Sequence, residues 1–168
     1  MTYHKSISMF YIFILFFAQS CAKNNESKEY KINEVIDLNK LYIKNNKQNH
    51  RYKYNLCNDI LIQWDSIAIV SPYTDSNLTE RALKVNLSRN LRKAIANQKY
   101  SDDYYLLLFF HRGSIPVYVK SNSYPIDFRT LIVNTNIGWL TKRNCTSIVT
   151  EKEIYNAKTI YHLKLTNP

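Results

Sequence analysis

Two aspartates and one histidine are the side chains in this sequence best suited to acid–base chemistry. Asp65 follows Trp64 at the start of an apolar run, and Asp127 stands two residues before an arginine. A carboxylate whose pKa is raised by an apolar wall can act as a general acid or base. His111 precedes Arg112, and such a pair can bind a phosphate or carboxylate or form a solvated turn. Two hypotheses stay open: a small periplasmic hydrolase that uses Asp65 or Asp127 with His111, and a non-catalytic binding site.

Each of these residues also has a purely structural explanation. An aspartate at the start of a strand commonly caps a turn or pairs with an arginine. Asp127 and Arg129 would share one face of a strand and form a surface ion pair that contributes little stability. His162 alternates with apolar neighbours, so we expect it on a solvated or partly covered sheet face. These residues alone do not decide between an enzyme and a binding protein, and they favour the binding protein.

Glycine and histidine patterns exclude several kinds of cofactor and metal site. The chain has 2 glycines, Gly113 and Gly138, whereas phosphate-binding loops need several residues without a Cβ. The 4 histidines are scattered and no C-x-x-C pair occurs, so we expect no metal site. A G-x-S-x-G nucleophile motif is also missing. The sequence therefore predicts neither cofactor nor metal.

The first 20 residues have the pattern of an export signal. An apolar run from Ile7 to Ala18 follows Lys5 and is shorter than the roughly twenty residues that span a membrane. It ends in Ala18-Gln19-Ser20-Cys21, which resembles the lipobox of bacterial lipoproteins. The resemblance implies cleavage after Ser20 and a diacylglyceryl group, with acyl chains such as palmitate, on Cys21. Ordinary signal-peptide cleavage after Ser20, without lipid, is the alternative.

Residues 21–31 are expected to form a polar tether between the lipid and the folded domain. Ala22–Glu29 contains no large apolar residue that could pack. Several acyl chains, at about 0.8 kcal/mol per buried methylene, would make membrane lipid the first partner. Ala22 is not the Asp that marks inner-membrane retention in many lipoproteins. The expected location is therefore the cell envelope, with the outer membrane favoured over the inner membrane.

Cys57 and Cys145 remain once Cys21 is assigned to lipid. An even pair in an exported chain favours a disulfide, since that compartment is oxidising. The bond would close a loop of about 90 residues and would contribute up to about 4 kcal/mol. Two small buried thiols that never meet are the alternative, because bonding requires Cα atoms within about 7 Å of each other.

Hydrophobic patterning over residues 32–168 predicts a single α+β domain, with an antiparallel sheet of about five to six strands and two helices packed on it. The run 64–70 is the expected central strand, because it is apolar on both faces near its end. Gly113 is expected to supply positive φ in a hairpin turn. Turns are expected over 134–138 and 151–156, and the other strands over 51–56, 104–110, 115–120, 131–133, 147–149 and 159–165.

One helix is expected over 32–42 and another from an N-cap at Asn77 to about Asn97. The second has leucines along one arc and, on the other, a basic helix face of five residues: Arg81, Arg89, Arg92, Lys93 and Lys99. This face would contact anionic lipid head groups, at about 1 kcal/mol per close residue, or be merely solvated. The formal net charge of +10 would suggest nucleic acid in a cytosolic protein, but export argues against that partner.

Residues 60–120 resemble a pattern in small uncharacterised bacterial lipoproteins. The order is Trp64-Asp65, an apolar strand, Pro72-Tyr73, a helix and an apolar hairpin. The resemblance implies one packed unit and no established activity. The leading hypothesis is a lipid-anchored accessory or binding domain of the envelope that contacts a ligand or an envelope protein. A structural component of an envelope complex is a further alternative, which an exposed apolar patch would favour.

Overall fold

The computed structural model describes residues 26–38, 51–100, 104–122, 126–132, 136–146, 148–156 and 158–165. The predicted signal segment 1–20, Cys21, the tether through residue 25 and the predicted first helix beyond residue 38 lie outside the described residues. The described part of the chain is a single α+β domain with mostly antiparallel strands, so the predicted fold class is confirmed.

The described strands form two sheets, whereas the sequence predicts one. The larger sheet consists of β1 (Lys28–Tyr30), β3 (Ser66–Val70), β4 (Tyr105–His111), β5 (Ser114–Ser121) and β7 (Ile137–Thr141), in the spatial order β1-β5-β4-β3-β7. The smaller sheet consists of β2 (Arg51–Tyr54), β6 (Ile126–Asp127), β8 (Ile148–Tyr155) and β9 (Lys158–Leu165), in the order β2-β8-β9-β6. β1 pairs with β5, and β6 with β9, in parallel, while the other pairings in these sheets are antiparallel.

β3 is the central strand that the sequence predicts, because β4 and β7 flank it. Ile67 and Ile69 belong to the core that includes Leu163 of the smaller sheet. Ala68 and Val70 point the other way, into a second core that includes the leucines of the helices. All four strand residues are fully buried, as a strand between two layers requires. The domain therefore has three layers: helices, larger sheet and smaller sheet.

The predicted first helix is shorter in the structure. α1 (Ile32–Val35) makes one turn, after which Ile36 forms a β-bridge with Ile60. Val35 and Ile36 are fully buried, so their apolar character reflects packing of a turn and a bridge. A helix of one turn is not stable by itself, and burial rather than helix propensity holds it.

The predicted second helix is divided into α2 (Ser76–Leu83) and α3 (Arg89–Gln98). Lys84 ends α2 with a φ of 54°, and Asp75, not Asn77, is its N-cap. The Asp75 carboxylate accepts the Asn77 backbone N–H at 2.8 Å, and the Ser88 hydroxyl accepts the Leu91 N–H at 3.3 Å to begin α3. The amphipathic pattern survives the break in part. Leu83 of α2, Leu87 of the connection and Leu91 of α3 are buried on the larger sheet, whereas Leu78 of α2 is exposed.

The β4–β5 hairpin forms as predicted, and the φ of Gly113 is 74°. Arg112 also has a positive φ, 50°, and His111 pairs with Ser114. A two-residue loop with positive φ at both positions is a type I′ turn, which matches the twist of the strands. The β8–β9 hairpin is longer than predicted, because β8 continues through the turn predicted over 151–156 as far as Tyr155.

The strand predicted to begin at residue 131 is wrong, since Arg129–Leu131 is a 3-10 helix. The strand in this region is β7, which begins inside the turn predicted over 134–138. Gly138 suggested a turn, but its role is close packing: a Cβ at Gly138 would lie 2.8 Å from the Leu131 carbonyl oxygen.

The predicted tether over residues 21–31 ends sooner than expected. Ser27 is 3% exposed, and β1 follows directly. The Ser27 hydroxyl donates to the Ile115 carbonyl at 2.5 Å, and its N–H donates to the Ser88 hydroxyl at 3.2 Å. Backbone pairing with β5 orders this segment although it has few apolar side chains, a contribution that composition does not reveal.

Candidate functional site

Several strands of the larger sheet begin or end at the same place, which we call the hairpin end. Ser66, the first residue of β3, pairs with Phe110 near the end of β4 and with Thr141 at the end of β7. Residues just outside these strand ends must therefore lie close together. They include Trp64 and Asp65 before β3, the Arg112-Gly113 turn after β4, and Lys142 after β7.

A polar cavity of about 700 Å³, the hairpin cavity, lies at this end. It is lined by three basic side chains, a buried indole, three amides and one hydroxyl. Its lining residues are Asn55, Cys57, Asn58, Ile62, Gln63, Trp64, His111, Arg112, Lys142 and Thr146. The structure thus brings together Trp64, His111 and Arg112, which the sequence singled out separately, and adds Lys142.

The ionisable side chains around the hairpin cavity are His111, Arg112, Lys142 and Asp65. Asp65 Oδ2 accepts the backbone N–H of Arg112 at 2.7 Å and lies 3.7 Å from His111 Nδ1. The carboxylate therefore holds the hairpin turn, as the turn-capping alternative expects. Lys142 Nζ lies 6.0 Å from the centre of the Trp64 ring, within the range of a cation–π contact.

Two lining residues carry a buried polar atom with no hydrogen-bond partner among the described residues. These atoms are Asn55 Oδ1 and His111 Nδ1. An unsatisfied buried polar atom costs about 1–3 kcal/mol, and such atoms are usually paired. Since both atoms are buried, a polar ligand in the cavity could pair with them only after their side chains rotate.

A disulfide joins two walls of the hairpin cavity. Cys57 lies in a 3-10 helix, Leu56–Asp59, and Cys145 lies in the turn that carries Lys142 and Thr146. The two cysteines are bonded, with Cα atoms 5.6 Å apart and 88 residues of sequence separation. The cross-link limits how far Lys142 and Asn58 can move apart.

Asp127 belongs to a different cluster, in the smaller sheet. Its side chain accepts from Arg129 Nε and Nη2, both at 2.9 Å, and lies 3.2 Å from His162 Nδ1. His162 Nε2 in turn lies 2.6 Å from Glu153 Oε2. The predicted Asp127–Arg129 ion pair therefore forms, with the carboxylate buried rather than on the surface. Because His111 contacts Asp65 instead, the structure does not bring Asp127 and His111 together.

The buried Asp127 carboxylate stays readily ionised. Burial alone would raise its pKa, but hydrogen bonds and charge from Arg129, with help from His162, outweigh burial and hold the pKa below its usual 3.8. A general acid needs the opposite shift, toward neutral pH. Asp127 therefore acts as the anion of a structural ion pair.

The five residues of the basic helix face are all exposed, but some of them are paired with acidic side chains, so the face is not uniformly positive. Arg92 pairs with Glu80, and Lys99 Nζ lies 3.8 Å from Asp75 Oδ2. Within the described part of the chain, Arg81, Arg89 and Lys93 have no acidic partner. The helix break at Lys84 also separates Arg81 from the four others.

A second cavity, of about 620 Å³, is apolar and lies beside the edge strand β7. Leu78 and Trp139, which are 54% and 40% exposed, line it together with Leu131 and Leu165. The sequence did not indicate this groove or the contribution of Asn55 and Lys142 to the hairpin cavity. The groove and the position of Lys142 depend on where β7 lies, and β7 was not predicted, whereas Asn55 directly follows β2.

Two further findings concern only the described residues. No cluster of His, Cys, Asp and Glu side chains there could hold a metal ion. No helix there is long and apolar enough to cross a membrane. Comparison with protein-family models, curated proteins and solved structures finds no match to this chain.

Proposed function

We propose that the chain is a lipid-anchored envelope protein whose hairpin cavity binds a small anion bearing a phosphate or carboxylate group. The anchor rests on the lipobox-like Ala18-Gln19-Ser20-Cys21 sequence. The binding function rests on one observation: His111, Arg112 and Lys142 line a single polar cavity of about 700 Å³.

The charge balance of the cavity favours an anionic ligand. Asp65 is the acidic group beside it, and one of its oxygens already accepts the Arg112 backbone N–H. The Arg112 and Lys142 side chains are exposed and can reach a ligand. Arginine and lysine donate charge-assisted hydrogen bonds to phosphate and carboxylate oxygens, which are about twice as strong as neutral ones.

Asn55 Oδ1 and His111 Nδ1, which have no hydrogen-bond partner in the described part of the chain, favour a ligand that carries polar groups besides its anionic group. Asn55 can offer either its carbonyl oxygen or its amide N–H to the cavity, and His111 Nδ1 can donate or accept. Because both atoms are buried, their side chains must rotate before the hydroxyl groups of a ligand can pair with them. We therefore favour a hydroxylated anion, such as a sugar phosphate or a hydroxy acid.

Binding accounts for this geometry better than hydrolysis does. A hydrolase using Asp65 and His111 needs a nucleophile or an activated water between them and the substrate. Cys57 is consumed by the disulfide, and the Thr146 hydroxyl donates to the Arg143 carbonyl at 3.3 Å. Asp65 also has a structural partner in the Arg112 backbone. The alternative with Asp127 and His111 lacks the required proximity.

Calorimetric titration of the acylated protein in detergent micelles tests the binding function, with inorganic phosphate and glucose 6-phosphate as probes. We expect saturable binding that weakens at least tenfold in Lys142→Ala, because one charge-assisted contact is lost. Lys152→Ala, in β8 of the smaller sheet, is the matched control. Equal affinities of the two variants, or no heat with either probe, would refute the assignment.

The anchor has a separate test. Cells grown with labelled palmitate should incorporate label into the wild-type chain and not into Cys21→Ala, because the thiol is the acylation site implied by the lipobox. Immunoblots of the same samples show whether the variant is made. Unlabelled wild-type protein, or equal labelling of both proteins, would remove the anchor from the proposal.

A further inference from the structure

We propose that the surface around Ser27 lies against the membrane and contacts anionic phospholipid head groups. This inference rests on the anchoring of Cys21 proposed above. Three exposed basic residues define the docking surface: Lys84 between α2 and α3, Arg89 in the first turn of α3, and Arg112 in the β4–β5 turn.

These three residues come from segments that meet around Ser27. A cavity of about 250 Å³ has Ser27, Lys84, Ser88 and Gly113 among its lining residues. Arg89 follows Ser88, and Arg112 precedes Gly113. The Ser27 backbone N–H also donates to the Ser88 hydroxyl at 3.2 Å, which fixes the start of the described chain at the start of α3.

The short connection to Cys21 restricts which side of the domain can meet the membrane. Ser27 follows Cys21 by six positions, and an extended chain spans at most about 3.6 Å per residue, so the two lie within about 22 Å of each other. A domain of this size has a radius of gyration of about 14 Å, which corresponds to a diameter near 37 Å. An acylated Cys21 can therefore insert in the bilayer when the Ser27 side of the domain faces the membrane, but not when the opposite side does.

The charge at this end complements an anionic surface. Its acidic residues include Glu26, Asp65 and Glu80. Asp65 is engaged with the Arg112 backbone, and Glu80 is engaged with the Leu87 backbone N–H and with Arg92. Five exposed basic residues surround them: Lys84, Arg89, Arg112, Lys142 and Arg143. Two members of the basic helix face are less suitable, since Arg92 pairs with Glu80, and Lys99 lies one helix length away and pairs with Asp75. The docking surface is thus at the N-terminal end of α3 rather than along its whole outer face.

Fluorescence quenching can measure this orientation on the acylated full chain in vesicles. A fluorescent non-natural residue is placed at Asn86, between Lys84 and Arg89, or at Asn156, at the tip of the β8–β9 hairpin. Both positions are exposed, and eight residues of β8 place Asn156 about 25 Å from the hairpin end. The vesicles contain a nitroxide on the lipid head groups, and either phosphatidylglycerol mixed with phosphatidylcholine or phosphatidylcholine alone.

In phosphatidylglycerol vesicles we expect quenching at Asn86 to be at least threefold stronger than at Asn156. Each Lys or Arg close to an anionic surface raises the equilibrium constant for docking about fivefold. Losing two such contacts therefore lowers the ratio of docked to undocked orientations of the anchored domain about 30-fold. The double variant Lys84→Glu/Arg89→Glu should therefore bring quenching at Asn86 down to the Asn156 level, as should phosphatidylcholine alone. The charge-matched control Lys99→Glu/Lys152→Glu should behave as wild type.

Sedimentation of the same samples separates the two proposals. Wild-type protein that sediments with vesicles but shows equal quenching at Asn86 and Asn156 overturns the docking surface and leaves the anchor intact. Selective quenching at Asn86 that survives Lys84→Glu/Arg89→Glu overturns the role of these charges. Protein that does not sediment with vesicles shows that the anchor fails, and the docking inference fails with it.

Discussion

Removing the Cys57–Cys145 disulfide should destabilise the domain strongly. The bond joins residues 88 apart in sequence. The chain-entropy relation for a closed loop of that length gives about 4.6 kcal/mol at 25 °C, which is a large part of the 5–15 kcal/mol that holds a typical domain folded. Because a urea m-value for a small domain is about 2 kcal/mol per M, the double variant Cys57→Ala/Cys145→Ala should lower the unfolding midpoint by about 2 M.

Urea titration followed by tryptophan fluorescence is a suitable assay, since Trp64 is buried beside this cross-link in the hairpin cavity. Wild-type protein treated with dithiothreitol is the control, because reduction removes the bond and leaves the cysteine volume in place. Reduced wild type and the double variant should then have similar midpoints. A loss of less than about 0.5 M in both would refute the claim that this bond constrains the unfolded chain.

Substitutions at three other residues have separate expected effects on stability. In the wild type, the lowered pKa of Asp127 stabilises the fold above about pH 3.8, and this stabilisation is lost as the pH falls through the folded-state pKa. The melting temperature of Asp127→Asn should therefore fall less between about pH 5 and pH 2 than that of the wild type. Parallel melting curves against pH would contradict this. Tyr105→Phe should lower the free energy of unfolding by about 1–3 kcal/mol in urea titrations, because the Tyr105 hydroxyl accepts the buried Phe128 N–H at 3.1 Å and donates to the Ile126 carbonyl at 2.7 Å. A change under about 0.5 kcal/mol would mean that water replaces both bonds. Gly138→Ala should cost about 1–3 kcal/mol in the same titration, since its Cβ would lie 2.8 Å from the Leu131 carbonyl oxygen. Unchanged stability would show that the 3-10 helix Arg129–Leu131 can move away from the added Cβ.

Sequence pattern predicted the elements whose stability comes from local burial. The central strand β3 and the β4–β5 hairpin were found because their apolar runs are continuous and Gly113 marks the turn. Local pattern failed where a distant partner decides the structure. β1 is ordered by β5, and β7 is covered by the Leu131 segment, and neither partner can be deduced from the segment itself.

The candidate site was predicted only in part for the same reason. Trp64, His111 and Arg112 stood out because they flank predicted strands, but Lys142 follows β7 and had no such marker. The basic helix face was predicted from a continuous helix, and the break at Lys84 changed which charges lie together. Charge pairs such as Arg92–Glu80 likewise depend on the α2–α3 packing, which spacing along one helix cannot show.

The direction of a single strand pairing connects the proposed anchor with the proposed ligand site. Because β1 is parallel to β5, Ser27 lies beside the start of β5, at the same end as the Arg112-Gly113 turn and the hairpin cavity. An antiparallel β1 would have placed Ser27 at the other end of β5, near Ser121, and the cavity would have faced away from the lipid. With the parallel pairing, an acylated Cys21 keeps the cavity within about 22 Å plus the width of one hairpin from the bilayer. An anion bound in the cavity would therefore be held close to the membrane surface.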